Sequence, residues 1–392
     1  MEYLHTVRQR VAVVCWKSPY PTRGGLDLRV DGICKSLSAI YEVSIICMNA
    51  STNYHPNHIS EIYAGPKIRN PESHEVLKWG KENPSDPFGV FADSQMVDFV
   101  RDSILRVNPD VVIVNRLMAW RLFSQAFPNS SFPKILDLDE TSNRLKNAYE
   151  KVSFMGPSLK MIANFHFRNI DYELSAINDA DQVLVSSELE QMDCASAVVP
   201  SKVHLIRNVV STKKFTRTWK GPRNKVIFPG NFDYAPNKKA LDFIIEEIAP
   251  QLPDFRFVIA GSGIDANRIK TTDNLNVKPF PHDMNAEFEN ADFLIAPLKF
   301  GAGTRLKVLE AMNSETVVIA TKFAVEGLEV EPEIHYQPAE TAEEFIEALR
   351  KFSKDLSKSQ LMARNAKLVI DKFYTPKSIE NSLAKAIFAA KR

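Results

Sequence analysis

Arg305 and Lys307 are two cations set two positions apart, directly after the small residues Gly301, Ala302 and Gly303 and the hydroxyl of Thr304. Glycines let a backbone run close to a ligand, and a threonine can cap the helix that follows. A helix start offers unpaired N–H groups and the positive end of its dipole to an anion. Cations at that end are unfavourable for the helix itself, and an anionic ligand such as a diphosphate would remove the conflict. Glu310, five residues beyond Arg305, is spaced to accept hydrogen bonds from sugar hydroxyls. The same residues also fit a plainer arrangement, a surface helix whose Arg and Lys are solvated and whose Glu310 pairs with one of them.

No Ser-His-Asp or Cys-His constellation competes with this one. Cys15, Cys34, Cys47 and Cys194 form no CxxC pair, and their spacing fits no zinc site. Three of them lie in apolar or helical patterns and read as small buried hydrophobes, which predicts a reducing compartment. Lys plus Arg number 49 against 48 for Asp plus Glu, so a formal net charge of +1 makes no electrostatic case for nucleic acid. No apolar run approaches the roughly 20 residues of a membrane-spanning helix. The polar stretch Met1 to Arg10 lacks the apolar core of a signal peptide, so a cytoplasmic protein is expected.

At 392 residues the chain suits two domains. Short apolar runs read as buried strands at Val11 to Trp16, Val43 to Cys47, Val111 to Val114, Lys134 to Leu138 and Val183 to Ser186. Helical patterns fall at Leu28 to Ile40, Asp93 to Val107 and Phe165 to Ala176, while residues 50–90 show little periodicity. The scheme repeats with strands at Val226 to Phe228, Phe257 to Ala260, Phe293 to Ala296 and Val317 to Ala320. Helices are expected at Lys238 to Ile248, Met284 to Asn290 and Arg305 to Met312. This rhythm predicts an α/β protein with two doubly wound parallel sheets, divided near Lys213 to Asn224. The expected domains are 1–215, 216–374 and a C-terminal helix, 375–392, with Ile379, Leu383 and Ile387 on one face.

The run from Pro297 to Met312, PLKFGAGTRLKVLEAM, resembles the signature of GT-B-fold glycosyltransferases, in particular glycosyltransferase family 4. Further segments resemble that family in order. They are the N-terminal glycine loop with Gly24 and Gly25, Asp179 to Glu190 and His204 to Phe215. In the second half they are Pro229 to Leu241, Arg256 to Ile264 and Asn276 to Met284. The resemblance implies two Rossmann-like domains facing across a cleft, with the N-terminal one on the acceptor side and the C-terminal one holding a nucleotide-sugar. The final helix is then expected to cross back to the N-terminal domain. The implied reaction is metal-independent, retaining transfer from a UDP- or GDP-linked sugar to a sugar, lipid-linked or protein acceptor. No further cofactor is implied.

By the same resemblance Arg305 and Lys307 would neutralise the donor phosphates, and Glu310 would hold the ribose. Gly24 and Gly25 would approach the diphosphate, Gly230 and Asn231 would line the donor site, and Phe280 and His282 would lie beside the base. Gly301, Ala302, Gly303 and Thr304 would complete the donor loop. The chain departs from the pattern in four places, one of them Asn208-Val209-Val210, which lacks the glycine often found after that Asn. Ala302 stands where many relatives carry a first glutamate, and Asp233 and Asn237 occupy a stretch that often bears Arg and Lys. Asp137 or Asp139 stands near the place of a frequent histidine. Asp139 is expected either as the acidic group facing the acceptor or as the N-cap of a helix beginning near Thr141.

Asp137-Leu138-Asp139 and Asp179-Ala180-Asp181 also match the short D-x-D pattern of a metal-dependent glycosyltransferase fold, a reading that leaves residues 301–312 unexplained. A catalytically silent binding protein of the same fold is the alternative outside enzymes. Residues 144–168 interleave basic and aromatic side chains, which suits either an amphipathic helix on the core or peripheral contact with an anionic membrane.

Overall fold

The computed structural model describes residues 8–22, 24–48, 55–66, 71–150, 169–210, 217, 219, 223–264, 273–279, 281, 283–301 and 303–392. The chain forms two compact units, Met1–Asn208 with Ile379–Arg392, and Val209–Ser378.

In the first unit the order is β1 (Arg10–Cys15), α1 (Gly25–Leu37), β2 (Glu42–Cys47), β3 (Glu61–Ala64), α2 (Ser73–Glu82) and α3 (Ser94–Val107). There follow β4 (Val111–Asn115), α4 (Arg116–Ala126), β5 (Lys134–Asp139), α5 (Ser142–Glu150), α6 (169–179), β6 (Gln182–Val185), α7 (Glu188–Ala195) and β7 (Val203–Leu205). The seven strands pair in parallel in the order β3-β2-β1-β4-β5-β6-β7. Strands β1, β2, β4 and β5 are buried almost end to end, as strands covered by helices on both faces must be. The strand order reverses between β1 and β4, which is where such sheets open a crevice at their carboxyl ends.

Asp93 caps α3 by accepting from the Gln95 N–H (2.8 Å), and Asn108 ends it in the left-handed conformation (φ 46). Among the elements that escape the periodicity are β3, α2 and α4. β3 is a half-exposed edge strand of 4 residues, and α2 (SHEVLKWGKE) has few apolar positions and an internal glycine. α4 buries Leu117, Ala119, Trp120, Leu122, Phe123 and Ala126, too wide an apolar surface to show one stripe.

The second unit holds β8 (Lys225–Asn231), α8 (Ala235–Phe243), β9 (Arg256–Ser262), β10 (Leu275–Pro279), α9 (Met284–Asn290), β11 (Phe293–Ala296), α10 (Leu306–Asn313), β12 (Val317–Ala320), β13 (Gln337–Pro338), α11 (Ala342–Lys354) and α12 (Leu356–Phe373). Its six parallel strands run β10-β9-β8-β11-β12-β13, with the reversal between β8 and β11. α8 continues into a π turn at Ile244–Ile248, so the expected helix through Ile248 changes its winding there. Val210 N–H donates to Tyr374 O (2.9 Å), which ties the start of this unit to the end of α12. The last helix, α13 (Pro376–Ala390), counts with the first unit from Ile379 onward, and Ile379, Leu383 and Ile387 are all buried.

All four cysteines are free and buried. Among the described residues no helix is long and apolar enough to cross a membrane. Most of the basic and aromatic stretch, residues 151–168, lies outside the described residues.

Candidate functional site

The reversal between β8 and β11 places Gly230 and Asn231, at the end of β8, beside the loop that leaves β11 and enters α10. Two glycines explain how the backbone closes there. Gly301 has φ +124, and a Cβ on it would meet Tyr234 Oη at 2.9 Å and Pro236 Cγ at 3.1 Å. Gly261, at φ +139 on β9, would set a Cβ only 1.8 Å from Gly230 O. Side chains other than hydrogen are therefore excluded where the carboxyl ends of β8, β9 and β11 meet.

Thr304 does not cap α10, contrary to expectation. The N-cap is Arg305 (φ −80, ψ 74), whose side chain makes no cap hydrogen bond, and the Leu306 N–H turns back to Thr304 O at 2.9 Å. Leu306 is buried, so the chain enters the helix one residue late, with its leucine tucked into the core. The Arg305 guanidinium bends back to the Gly303 carbonyl and lies over the Phe323 ring, 4.8 Å from its centroid.

Lys307 lies within the first turn of α10. Its Nζ donates to Asn237 Oδ1 (2.8 Å) and sits 4.3 Å from the centroid of Phe228. Its side chain is partly buried. Burial first, then the Arg305 charge, pulls its ammonium down to about 7, while Glu310 works the other way. Glu310 is pushed up to about 7 by burial, against the pull of Lys307. Among the described residues no carboxylate reaches salt-bridge distance of Lys307. An uncompensated cation at a helix start, beside glycines and over an aromatic ring, is a site that an anion completes.

The structure thus brings together Gly230, Asn231, Gly301, Gly303, Thr304, Arg305, Lys307 and Glu310 in the second unit. Ala302, Phe280 and His282 lie outside the described residues. The residue missed by sequence reasoning is Asn237. It stands where relatives often carry a cation, and that departure was the only signal, because its partner is 70 positions away.

Gly24 and Gly25 belong to the first unit. Gly24 is the extended N-cap of α1, and a Cβ added to it would meet nothing within 4 Å. At the carboxyl ends of β1, β4 and β5 lies a buried ionic network instead of a bare cation. Arg29 Nε donates to both oxygens of Asp137 (2.9 and 3.1 Å), and its NH1 reaches Ile206 O and Asn208 Oδ1. Asn115 Nδ2 adds a bond to Asp137 Oδ2 at 2.7 Å. Asp139 accepts from Arg116 NH2 (2.8 Å) and from Asn208 Nδ2 (3.4 Å), with Arg29 Nε at 3.5 Å.

Asp139 is 4% exposed. Burial pushes its carboxyl upward, but Arg29 and Arg116 outweigh that and hold it below the usual carboxylate range. Asp139 and Arg116 both occupy the left-handed backbone region (φ 62 and 66), a strained conformation that the ion pair between them helps to hold. Asp139 is no helix cap: Thr141 Oγ1 accepts from the Arg144 N–H at the start of α5 (3.4 Å). The other D-x-D acids serve local structure. Lys134 pairs through Nζ with Asp179 and donates its N–H to Asp181.

Residues 223–355 match the family model described as Glycosyl transferases group 1. A protein of Klebsiella pneumoniae, described as an uncharacterized 44.6 kDa protein in the cps region, is 26% identical over 174 residues. That match takes in 41% of this chain and 45% of the Klebsiella protein, so it spans less than half of that relative. Among solved structures, sucrose-phosphate synthase from Thermosynechococcus elongatus superposes with a TM-score of 0.72 at 17% identity, covering 96% of this chain and 98% of the other. HepE from Anabaena, in complex with UDP-glucose, superposes with a TM-score of 0.62 at 15% identity over 96% and 98% of the two chains. Residues 223–355 are therefore similar to the glycosyl transferases group 1 family, in a chain that has the two-domain α/β fold of the GT-B glycosyltransferases.

Proposed function

We propose that the protein is a glycosyltransferase that moves a sugar from a nucleoside-diphosphate-sugar to an acceptor hydroxyl, with retention of configuration and without a metal ion. The observation that carries this reading is the pair of cations Arg305 and Lys307 at the start of α10, at the strand reversal between β8 and β11. Phosphate departs with a negative charge that grows as the glycosidic bond breaks. Fixed cations and helix N–H groups stabilise that charge, and their effect is strong where water is excluded. Glu310, one turn further along the helix, is the group placed to accept hydrogen bonds from the ribose once ionised.

The UDP-glucose held by the Anabaena structure supports a nucleotide-sugar donor, with UDP as the first candidate and GDP as the second. The capsule-region relative supports an acceptor in surface polysaccharide or glycolipid synthesis. Free buried cysteines suit a cytoplasmic enzyme. Asp139 enters this mechanism as the group that holds Arg116 in place. A carboxylate so strongly paired is a weak base, and the departing phosphate is the better acceptor for the hydroxyl proton.

The test is a thermal-shift screen with UDP, GDP and their sugar conjugates, followed by assay of donor cleavage with the best binder. Ligands that bind the native state raise its melting temperature with occupancy. The expected result is stabilisation by one nucleoside diphosphate and its sugar, with slow release of that diphosphate in the wild type and none in Arg305→Ala. Stabilisation without turnover on any sugar acceptor would identify a binding protein instead.

A further inference from the structure

Asn237 lies in the first turn of α8 and is 8% exposed. Its Nδ2 donates to the carbonyl of Asn231 at 2.8 Å, and its Oδ1 accepts from Lys307 Nζ at 2.8 Å. These two partners settle the direction of the amide, because turning it over would set donor against donor and acceptor against acceptor. Room for the arrangement comes from Gly230. A Cβ there would lie 2.9 Å from Asn237 Nδ2 and 3.3 Å from Lys307 Nζ. The end of β8, the first turn of α8 and the first turn of α10 are thus locked through one carboxamide.

We propose that Asn237 is a positioning residue of the donor site: its carboxamide holds the Lys307 ammonium at the end of β8 without neutralising it, leaving that charge for a nucleoside diphosphate. This rests on the donor reading given above. A neutral partner is the essential point. An aspartate of the same length would make the same hydrogen bond but cancel the charge, and a lysine or arginine would repel Lys307.

One consequence separates this role from simple scaffolding. The groups facing Lys307 are the Phe228 ring from β8, Asn237 from α8, and Arg305 and Glu310 from α10 and its cap. Burial and Arg305 bring the ammonium to about 7 in the free protein. A bound diphosphate raises it again, so binding above pH 7 takes a proton from solvent. Affinity is then highest below the free-state value and falls as pH rises above 7. A terminal phosphate with a second ionisation near 6 is already fully charged in this window.

The experiment is calorimetric titration of UDP into the full-length protein at pH 7.5 to 8.5, in buffers of different ionisation enthalpy. Uridine serves as a ligand that lacks phosphate. For the wild type we expect uptake of a large fraction of one proton, and weaker binding as the pH is raised. Asn237→Asp should bind UDP at least about tenfold more weakly and lose the proton uptake, with uridine binding unchanged. Asn237→Ser, a shorter neutral acceptor, should keep part of the uptake and retain a normal melting temperature. UDP binding and proton uptake that are the same in Asn237→Asp as in the wild type would overturn the proposal alone. A wild type that binds no nucleoside diphosphate would overturn the donor reading and this proposal with it.

Discussion

The two sheets reverse their strand order in the same way, between β1 and β4 in one unit and between β8 and β11 in the other, yet their carboxyl ends are filled oppositely. At the carboxyl ends of β1, β4 and β5 in the first unit the buried charges are paired. Arg29 faces Asp137, Arg116 faces Asp139, and Asn115 and Asn208 add bonds to the two carboxylates. In the second, Lys307 has a carboxamide and a ring as its partners, and Arg305 turns back to a backbone carbonyl. A buried pair that is fully bonded is self-sufficient, whereas a buried cation left with neutral partners is costly until something binds it. On the donor reading proposed above, the binding chemistry belongs to the second unit, and the ionic network of the first holds its own loops.

The largest expected effect comes from breaking the paired side. Asp137→Asn leaves Arg29, which is 1% exposed, with Asp139 at 3.5 Å as its nearest carboxylate. Removing one member of a buried pair costs about 3 kcal/mol or more. A marked drop in the unfolding midpoint of this variant, with UDP affinity retained in the protein that stays folded, is the expected result.

The unpaired side should respond with the opposite sign. Lys307→Met removes a cation that has no carboxylate at salt-bridge distance, so the nucleotide-free protein should gain about 1 kcal/mol near neutral pH. The native ammonium titrates at about 7 against 10.5 for the ordinary lysine. Between those values the unfolded chain binds more protons, so this group makes wild-type stability rise with pH there. Chemical denaturation from pH 7 to 10 should show that rise flattened in the variant.

Smallest is the effect at the glycine loop of the first unit. Since a Cβ on Gly24 meets nothing, Gly24→Ala should change stability by no more than about 0.5 kcal/mol. Any loss of transfer activity in that variant would then report contact with substrate, because folding does not need the glycine.

Much of this was legible from local pattern. The strands Phe293–Ala296 and Val317–Ala320 and the helix Met284–Asn290 fall where periodicity puts them. Arg305, Lys307 and Glu310 could be picked out because glycine turns, a helix start and misplaced cations share one short stretch. α4 could not be read, because its apolar residues lie around most of the helix. Nor could the partnerships that define each site. Asn237 meets Lys307 across 70 positions and Arg29 meets Asp137 across 108, so only the folded sheets bring them together. Asp139 shows the limit plainly: its place in the sequence suited a free acid near the acceptor, while the fold sets two guanidiniums beside it.

The most direct test is a pair of calorimetric titrations at pH 7, UDP into the wild type and UDP into Lys307→Met. A charge-assisted bond to phosphate is worth about 2 kcal/mol, so the variant should bind about 30-fold more weakly. Equal affinity in the two proteins would show that the bare cation at the start of α10 is not where the diphosphate sits.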